Sequence, residues 1–307
     1  MKDFLAVADF SPKELQSLLD LAVELKQERQ STGSNKPRLQ NKMLAMVFQK
    51  PSLRTRVSFD MAMRHLGGDA IYLSPAEIGL GKRESIADVA RVLSGYVDAI
   101  MARVFDHTHV TELAKWASVP VVNGLSDYNH PCQAVADALT IYERFGKLQG
   151  LNVTYVGDGN NVTVSLMHIC AKLGANFTVA NPPGFDMSED AIELGHEFAQ
   201  ASGSTITLLQ DPNAAVQGAD VIYTDTWTSM GQEEEAKQRE AVFPPYQVNA
   251  ALVAQAKPEA IVMHCLPAHR NQEITDEIAD GPQSMLFPQA ENRMHAQKAI
   301  LVKMLTP

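Results

Sequence analysis

The sequence predicts an α/β protein built from two three-layer α/β/α domains, each a parallel sheet with helices on both faces. Three observations predict it. Unbroken apolar runs of strand length, such as Met43-Leu44-Ala45-Met46-Val47-Phe48 and Ala99-Ile100-Met101-Ala102, mark strands buried on both faces. Amphipathic stretches at helical spacing alternate with those runs, which is the pattern of a parallel sheet. The alternation restarts after Gly146, and 307 residues suffice for two domains with separate cores. The expected division is residues 1–145 followed by 146–290.

Ser11-Pro12 is a capping residue with proline at a first helical position, and Leu15, Leu18, Leu19, Ala22 and Leu25 then form an apolar stripe. After a polar connection comes the Met43–Phe48 strand, and then Ser52-Leu53-Arg54-Thr55-Arg56. Val57, Met61 and Ala62 follow at helical spacing until Gly67-Gly68 ends the element. Ser52, Arg54, Thr55 and Arg56 thus lie between a strand end and a helix start. Free N–H groups, the positive end of the helix dipole, two hydroxyls and two guanidinium groups make this an anion site, best suited to phosphate. The alternative is a solvated basic turn capped by Ser52.

A short strand, Ala70-Ile71-Tyr72-Leu73, precedes the loop Glu77-Ile78-Gly79-Leu80-Gly81-Lys82-Arg83-Glu84-Ser85. A helix through Ile86, Val89, Ala90 and Leu93 leads to the strand that carries Arg103 near its end. A buried cation without a partner costs several kcal/mol, so Arg103 either serves a ligand or is satisfied by a carboxylate. A helix from Val110, a strand Val119–Asn123 and the block His130-Pro131-Cys132-Gln133 come next. That block puts His130 and Gln133 at a further strand-to-helix junction. Ligands of such sheets bind beyond the carboxyl ends of the strands.

In the second half, Leu151–Val156 is a strand, Gly157-Asp158-Gly159-Asn160-Asn161 a turn, and Val164 to Leu173 a helix. The turn is Rossmann-like, and a dinucleotide is the natural guess. Val162 stands where a third glycine or alanine belongs, and Asn181 rather than an acid follows the next strand, so NAD is rejected. Two later strand ends deliver a carboxylate, Asp225, and a thiol, Cys265. Between them, Thr228-Ser229-Met230-Gly231-Gln232-Glu233-Glu234-Glu235 is a polar insertion, either a lid or a solvated segment. The last helix is expected from Asn292 to Met304, with Arg293 at its start.

Composition narrows the function. A formal net charge of −10 argues against a nucleic-acid partner, so anions must be captured by local arginines. No apolar run approaches a membrane span, and no secretory signal is expected. Cys132, Cys170 and Cys265 have no metal-like spacing and read as reduced thiols of a cytoplasmic protein. Neither a metal nor a cofactor is expected.

Five blocks together resemble the aspartate/ornithine carbamoyltransferase family: Ser52-Leu53-Arg54-Thr55-Arg56, His130-Pro131-Cys132-Gln133, Asp225 with Ser229-Met230-Gly231, His264-Cys265-Leu266-Pro267-Ala268-His269-Arg270, and Glu291-Asn292-Arg293-Met294-His295-Ala296-Gln297-Lys298. The similarity runs end to end. It implies two Rossmann-like domains joined by helices, the first for carbamoyl phosphate, the second for ornithine, with residues 291–307 returning to the first. It implies a homotrimer or a multiple of trimers, with active sites between subunits, and transfer of the carbamoyl group to the δ-amine of L-ornithine, giving citrulline and phosphate in arginine metabolism. By position, Ser52, Leu53, Arg54 and Thr55 would hold the phosphate, with Arg103, His130 and Gln133 around the carbamoyl group. Asn161, Asp225, Ser229 and Met230 would hold ornithine, and Cys265, Leu266 and Arg293 would complete the site. The sister acceptors are aspartate, N-acetylornithine and putrescine, and the remaining alternative is a catalytically silent paralogue.

The chemistry accounts for this inventory. A leaving phosphate needs cations and N–H donors. The attacking amine should have a pKa of about 10.4, so on the order of one molecule in a thousand is neutral at pH 7. Asp225 or Cys265 is expected to receive or guide its proton. The chain departs from the family pattern at Leu53, where threonine is common, and at Gly79, where glutamine or histidine from a neighbouring subunit reaches the substrate. Lys82 or Arg83 is expected to reach across instead.

Overall fold

The computed structural model describes residues 1–228 and 235–306. The chain divides into two compact units, Met1–Leu139 with Glu291–Pro307, and Thr140–Ala290. The division falls inside the helix Pro131–Phe145.

The first unit contains a parallel sheet of β1 (Met43–Phe48), β2 (Asp69–Leu73), β3 (Ala99–Arg103) and β4 (Val121–Leu125), ordered β2-β1-β3-β4. β3 and β4 are buried along their whole length, as their apolar runs require. The second unit has β5 (Asn152–Val156), β6 (Asn176–Ala180), β7 (Ile206–Leu209), β8 (Val221–Thr224) and β9 (Ile261–His264), ordered β7-β6-β5-β8-β9 and again all parallel. Both sheets reverse direction of winding at one place, between β1 and β3 in the first and between β5 and β8 in the second. Each reversal opens a crevice beyond the strand ends, the usual ligand position in such sheets.

The two units also share a device at the opposite, amino-terminal edge. Asp98 accepts from Met43 N at 2.8 Å and from Lys42 Nζ at 2.8 Å. Asp220 does the same with Asn152 N at 2.8 Å and Lys257 Nζ at 2.7 Å. In each sheet one carboxylate thus pins the start of the central strand to its neighbour, fixing the register that sets the far ends.

Sequence and structure differ most in the last helix and in the stretch between β6 and β8. The last helix begins at Leu286, so Arg293 lies two turns inside it instead of at its start. Pro288 in the first turn lacks only an N–H that a helix start does not use, which allows the earlier beginning. The structure adds the helix Glu189–Ser202 and strand β7. In that helix the buried residues are small, Ala191, Gly195 and Ala199, with Ile192, Leu194 and Phe198 half-buried beside them. A Cβ on Gly195 would stand 2.9 Å from Met167 Cε and 3.0 Å from Ile206 Cδ1, so those two side-chain ends would have to shift to admit one.

Several histidines are buried as neutral rings. His295 is lowered to about 3 and His65 to about 4, by burial first and then by Lys298 nearby. Burial also lowers His168 and His130. With folded pKa values depressed, their stabilisation is full above the unfolded value of about 6.5 and is lost as pH falls below it. Each deeply buried ring then weakens folding by up to about 1.4 kcal/mol per pH unit, and the half-buried His65 by less. The urea midpoint is expected to drop clearly between pH 7 and pH 5; a flat midpoint over that range would contradict the assignment.

Candidate active site

The register of the first sheet assembles a cluster of donors. Phe48 pairs with Arg103, which places the turn after β1 beside the end of β3. Ser52 caps the helix Leu53–His65, its Oγ accepting from Thr55 N at 3.3 Å. Thr55 is fully buried, and its Oγ1 accepts from Arg293 Nη2 at 2.9 Å and from Arg103 Nη1 at 3.4 Å. Arg103 and Arg293 are 7 % and 4 % exposed, so two guanidinium groups converge on one hydroxyl out of contact with bulk water. His130, at the start of the Pro131–Phe145 helix, feels both. Burial, then Arg293 and Arg103, hold its ring well below the usual imidazole range, so it is neutral at working pH. Arg54 Nε is buried with no hydrogen-bond partner among the described residues.

Other predicted residues of this unit lie outside the buried cluster. Leu53 is 74 % exposed, and Arg56 stacks on Tyr72 at 4.2 Å instead of joining the cluster. Lys82 and Arg83 stand exposed on their loop. Gly79 adopts φ 50 there, with Arg83 Cβ only 3.0 Å from where its own Cβ would be.

In the second unit, Thr224 pairs with His264, so the next residues, Asp225 and Cys265, emerge side by side. The Cys265 thiol donates to Asp225 Oδ1 at 3.0 Å, and Thr226 N donates to the same oxygen at 2.8 Å. Asn160 Nδ2 donates to Asp225 Oδ2 at 3.0 Å, while Asn160 Oδ1 caps the helix Asn161–Lys172. Asn161, the predicted ligand, is the first residue of that helix and half-buried. Asp225 is therefore a carboxylate held by three donors at the reversal point of its sheet. Ser229 and Met230 lie outside the described residues.

Glu273, Gln289 and Arg239, which no sequence motif marks, help to hold this pair in place. His264 Nδ1 accepts from Leu266 N at 2.9 Å, so the ring proton sits on Nε2 and is donated to Glu273 Oε1 at 3.0 Å. The same Glu273 oxygen accepts from His269 N at 2.6 Å. Leu266 is held at φ 58, in the left-handed region, by this arrangement. Gln289 accepts from His264 N at 2.8 Å and donates to the Tyr223 hydroxyl at 3.0 Å. On the other side, buried Arg239 pairs with Asp158 at 2.8 Å and donates to Trp227 O at 2.8 Å, bracketing Asp225 between two anchored segments. Burial pushes the Asp158 carboxyl up to about 6 despite that partner. The glycine turn has its own reason: a Cβ on Gly159 would meet the Asp186–Met187 backbone at 2.5 Å.

Asp225, His264 and Cys265 each present a ligand atom within 4.8 Å of the others. Both His264 nitrogens are already engaged, one as acceptor and one as donor, so a metal here would break the contact that orders Leu266 or Glu273. None of the three cysteines is in a disulfide. Among the described residues no helix is long and apolar enough to cross a membrane.

Residues 2–143 match the family model "Aspartate/ornithine carbamoyltransferase, carbamoyl-P binding domain", and residues 149–304 match "Aspartate/ornithine carbamoyltransferase, Asp/Orn binding domain". The chain is 54% identical to an ornithine carbamoyltransferase of Anoxybacillus flavithermus, covering 99% of this chain and 96% of that one. It is also 54% identical to an anabolic ornithine carbamoyltransferase of Pyrococcus furiosus, over 98% and 95% of the two chains. The solved structure of ornithine carbamoyltransferase from Pyrococcus furiosus is similar with a TM-score of 0.95, covering 98% of this chain and 96% of that one.

Proposed function

Because the chain belongs to the aspartate/ornithine carbamoyltransferase family, we propose that it transfers the carbamoyl group of carbamoyl phosphate to the δ-amine of L-ornithine. In this reading the first unit takes carbamoyl phosphate and the second takes ornithine. The observation that carries the choice of acceptor is Asp225, a carboxylate presented with a thiol and suited to an ammonium group, not to a second carboxylate.

The chemistry follows from the side chains. Ser52, Leu53, Arg54 and Thr55 receive the phosphate at the helix start, where the dipole and N–H groups favour an anion. Arg103 and neutral His130 polarise the carbonyl, and Arg103, His130 and Arg293 stabilise the oxyanion formed when the δ-nitrogen bonds to carbon. The C–O bond to phosphate then breaks, and phosphate leaves with the electron pair. The proton lost by the amine goes to Asp225, either directly or by way of Cys265, whose own thiol proton then passes to the carboxylate. Leu266 offers backbone groups to the carbamoyl end, while Asn161, Ser229 and Met230 complete the ornithine side. An assay with purified protein tests this reading. Citrulline from ornithine supports it. Product from aspartate, N-acetylornithine or putrescine in place of ornithine would replace it with a sister activity, and no product from any amine would favour a silent paralogue.

A homotrimer or multiple of trimers belongs to the same proposal. It is supported by apolar side chains left on one edge of the first unit, Leu53, Val57 and Ile71, at 74 %, 49 % and 49 % exposure. A cytoplasmic setting, in which thiols stay reduced, suits three cysteines that form no disulfide. The loop of Lys82 and Arg83 is proposed to serve a neighbouring subunit's carbamoyl phosphate where Gly79 cannot. Arg83→Ala or Lys82→Ala is expected to raise the KM for carbamoyl phosphate about tenfold, the worth of a hydrogen bond to a charged group. An unchanged KM in both variants would remove the loop from the site.

A further inference from the structure

Gln133 and Asp137 lie four residues apart on the Pro131–Phe145 helix, so their side chains share one face. Gln133 is 1 % exposed and Asp137 is fully buried. Gln133 Nε2 donates to Asp137 Oδ1 at 2.7 Å. Asp137 Oδ1 is the acceptor in this bond, which fixes one of the two orientations of the amide. The amide nitrogen must face Asp137, and the carbonyl oxygen is turned the other way. That oxygen, Gln133 Oε1, is buried and has no hydrogen-bond partner among the described residues.

A buried acceptor left without a donor is costly, so an ordered water or a ligand must supply the donor. Gln133 follows His130 by one helical turn, and its own N–H donates to His130 O at 3.1 Å. The unmatched acceptor is thus built into the same helix start as the imidazole that faces Arg103 and Arg293. Among acyl phosphates, the carbamoyl group alone offers an N–H2 in the place where acetyl phosphate carries a methyl. The two groups are nearly the same size, so shape discriminates poorly between them. A fixed acceptor discriminates well, because the methyl leaves it unpaired.

We propose that Asp137 is a positioning residue: it locks the Gln133 amide with Oε1 presented to the substrate, and this lock selects carbamoyl phosphate over other acyl phosphates. The inference rests on the reading that the first unit binds carbamoyl phosphate. Asp137 itself touches no substrate. It acts only by forbidding the flipped amide.

Asp137→Asn tests the lock with little change of shape, since an amide at 137 can either accept or donate and lets Gln133 turn over. Three constants are measured on the intact protein: KM for carbamoyl phosphate, and Ki for acetyl phosphate and for inorganic phosphate against it. The preference for carbamoyl over acetyl phosphate is expected to fall by about tenfold or more in the variant, with the inorganic phosphate Ki within about twofold of the original. Gln133→Met, which keeps length and removes the acceptor, is expected to lose the same preference, and it reads the acceptor directly if Asp137→Asn folds poorly. An unchanged preference in either folded variant, or an equal weakening of all three ligands, would overturn the proposal. Absence of citrulline formation by the unmodified protein would instead overturn the underlying reading, so the two failures are distinguishable.

Discussion

Arg103→Met is expected to lower kcat/KM for carbamoyl phosphate by about 10²- to 10³-fold, the usual loss when one donor to a developing oxyanion is removed. Arg103 is 7 % exposed at the end of β3, and Nη1 reaches the Thr55 hydroxyl that Arg293 also holds. Methionine fills most of the volume without bringing a polar group, so packing of β3 is retained. Arg103 and Arg293 share this corner with the neutral His130 ring. A melting temperature that holds while activity falls separates a chemical role from a structural one. The His130 ring should also move back toward the ordinary imidazole range, because Arg103 is one of the charges that depress it. Activity within threefold of the original, or a clear loss of thermal stability, would contradict the assignment. Steady-state kinetics and a thermal melt on the same preparation give both readouts.

Asp225→Asn is expected to reduce kcat/KM for ornithine by about 10²- to 10⁴-fold, the range associated with loss of a positioned proton acceptor. The substitution keeps the shape, and its oxygen can still accept from Thr226 N and the Cys265 thiol. Its nitrogen, however, would face Asn160 Nδ2 across the present 3.0 Å contact, two donors meeting where a donor and an acceptor stood. Cys265→Ser supplies the comparison. Serine keeps a hydroxyl donor toward Asp225, so a small loss there beside a large one in Asp225→Asn identifies the carboxylate as the proton acceptor. The reverse order identifies the sulfur. Equal, small effects in both would leave the pair without a chemical role.

How much of this could be read from the sequence depends on the range of the interaction involved. The Ser52 cap, the anion turn and Arg103 at a strand end are local consequences of an apolar run followed by a helix signal, and the family blocks carry the rest of the first constellation. The bond from Arg293 to Thr55 crosses 238 positions, and no periodicity announces it. The pairing of Asp158 with Arg239 and of His264 with Glu273 likewise comes from sheet register and loop course, not from spacing. Gln133 with Asp137 is different. Their i, i+4 spacing was legible, and what the sequence could not supply was their burial and the unmatched oxygen.

The final helix gives the order of assembly an unexpected twist. Residues 291–307 belong to the first unit, where Ala296, Ala299, Ile300 and Leu301 are fully buried and Arg293 meets Thr55. A ribosome delivers the chain from the N-terminus, and domains ordinarily fold as they emerge. Here the unit that begins first is finished last: it waits, core incomplete and anion turn unassembled, until the second unit has been made in full.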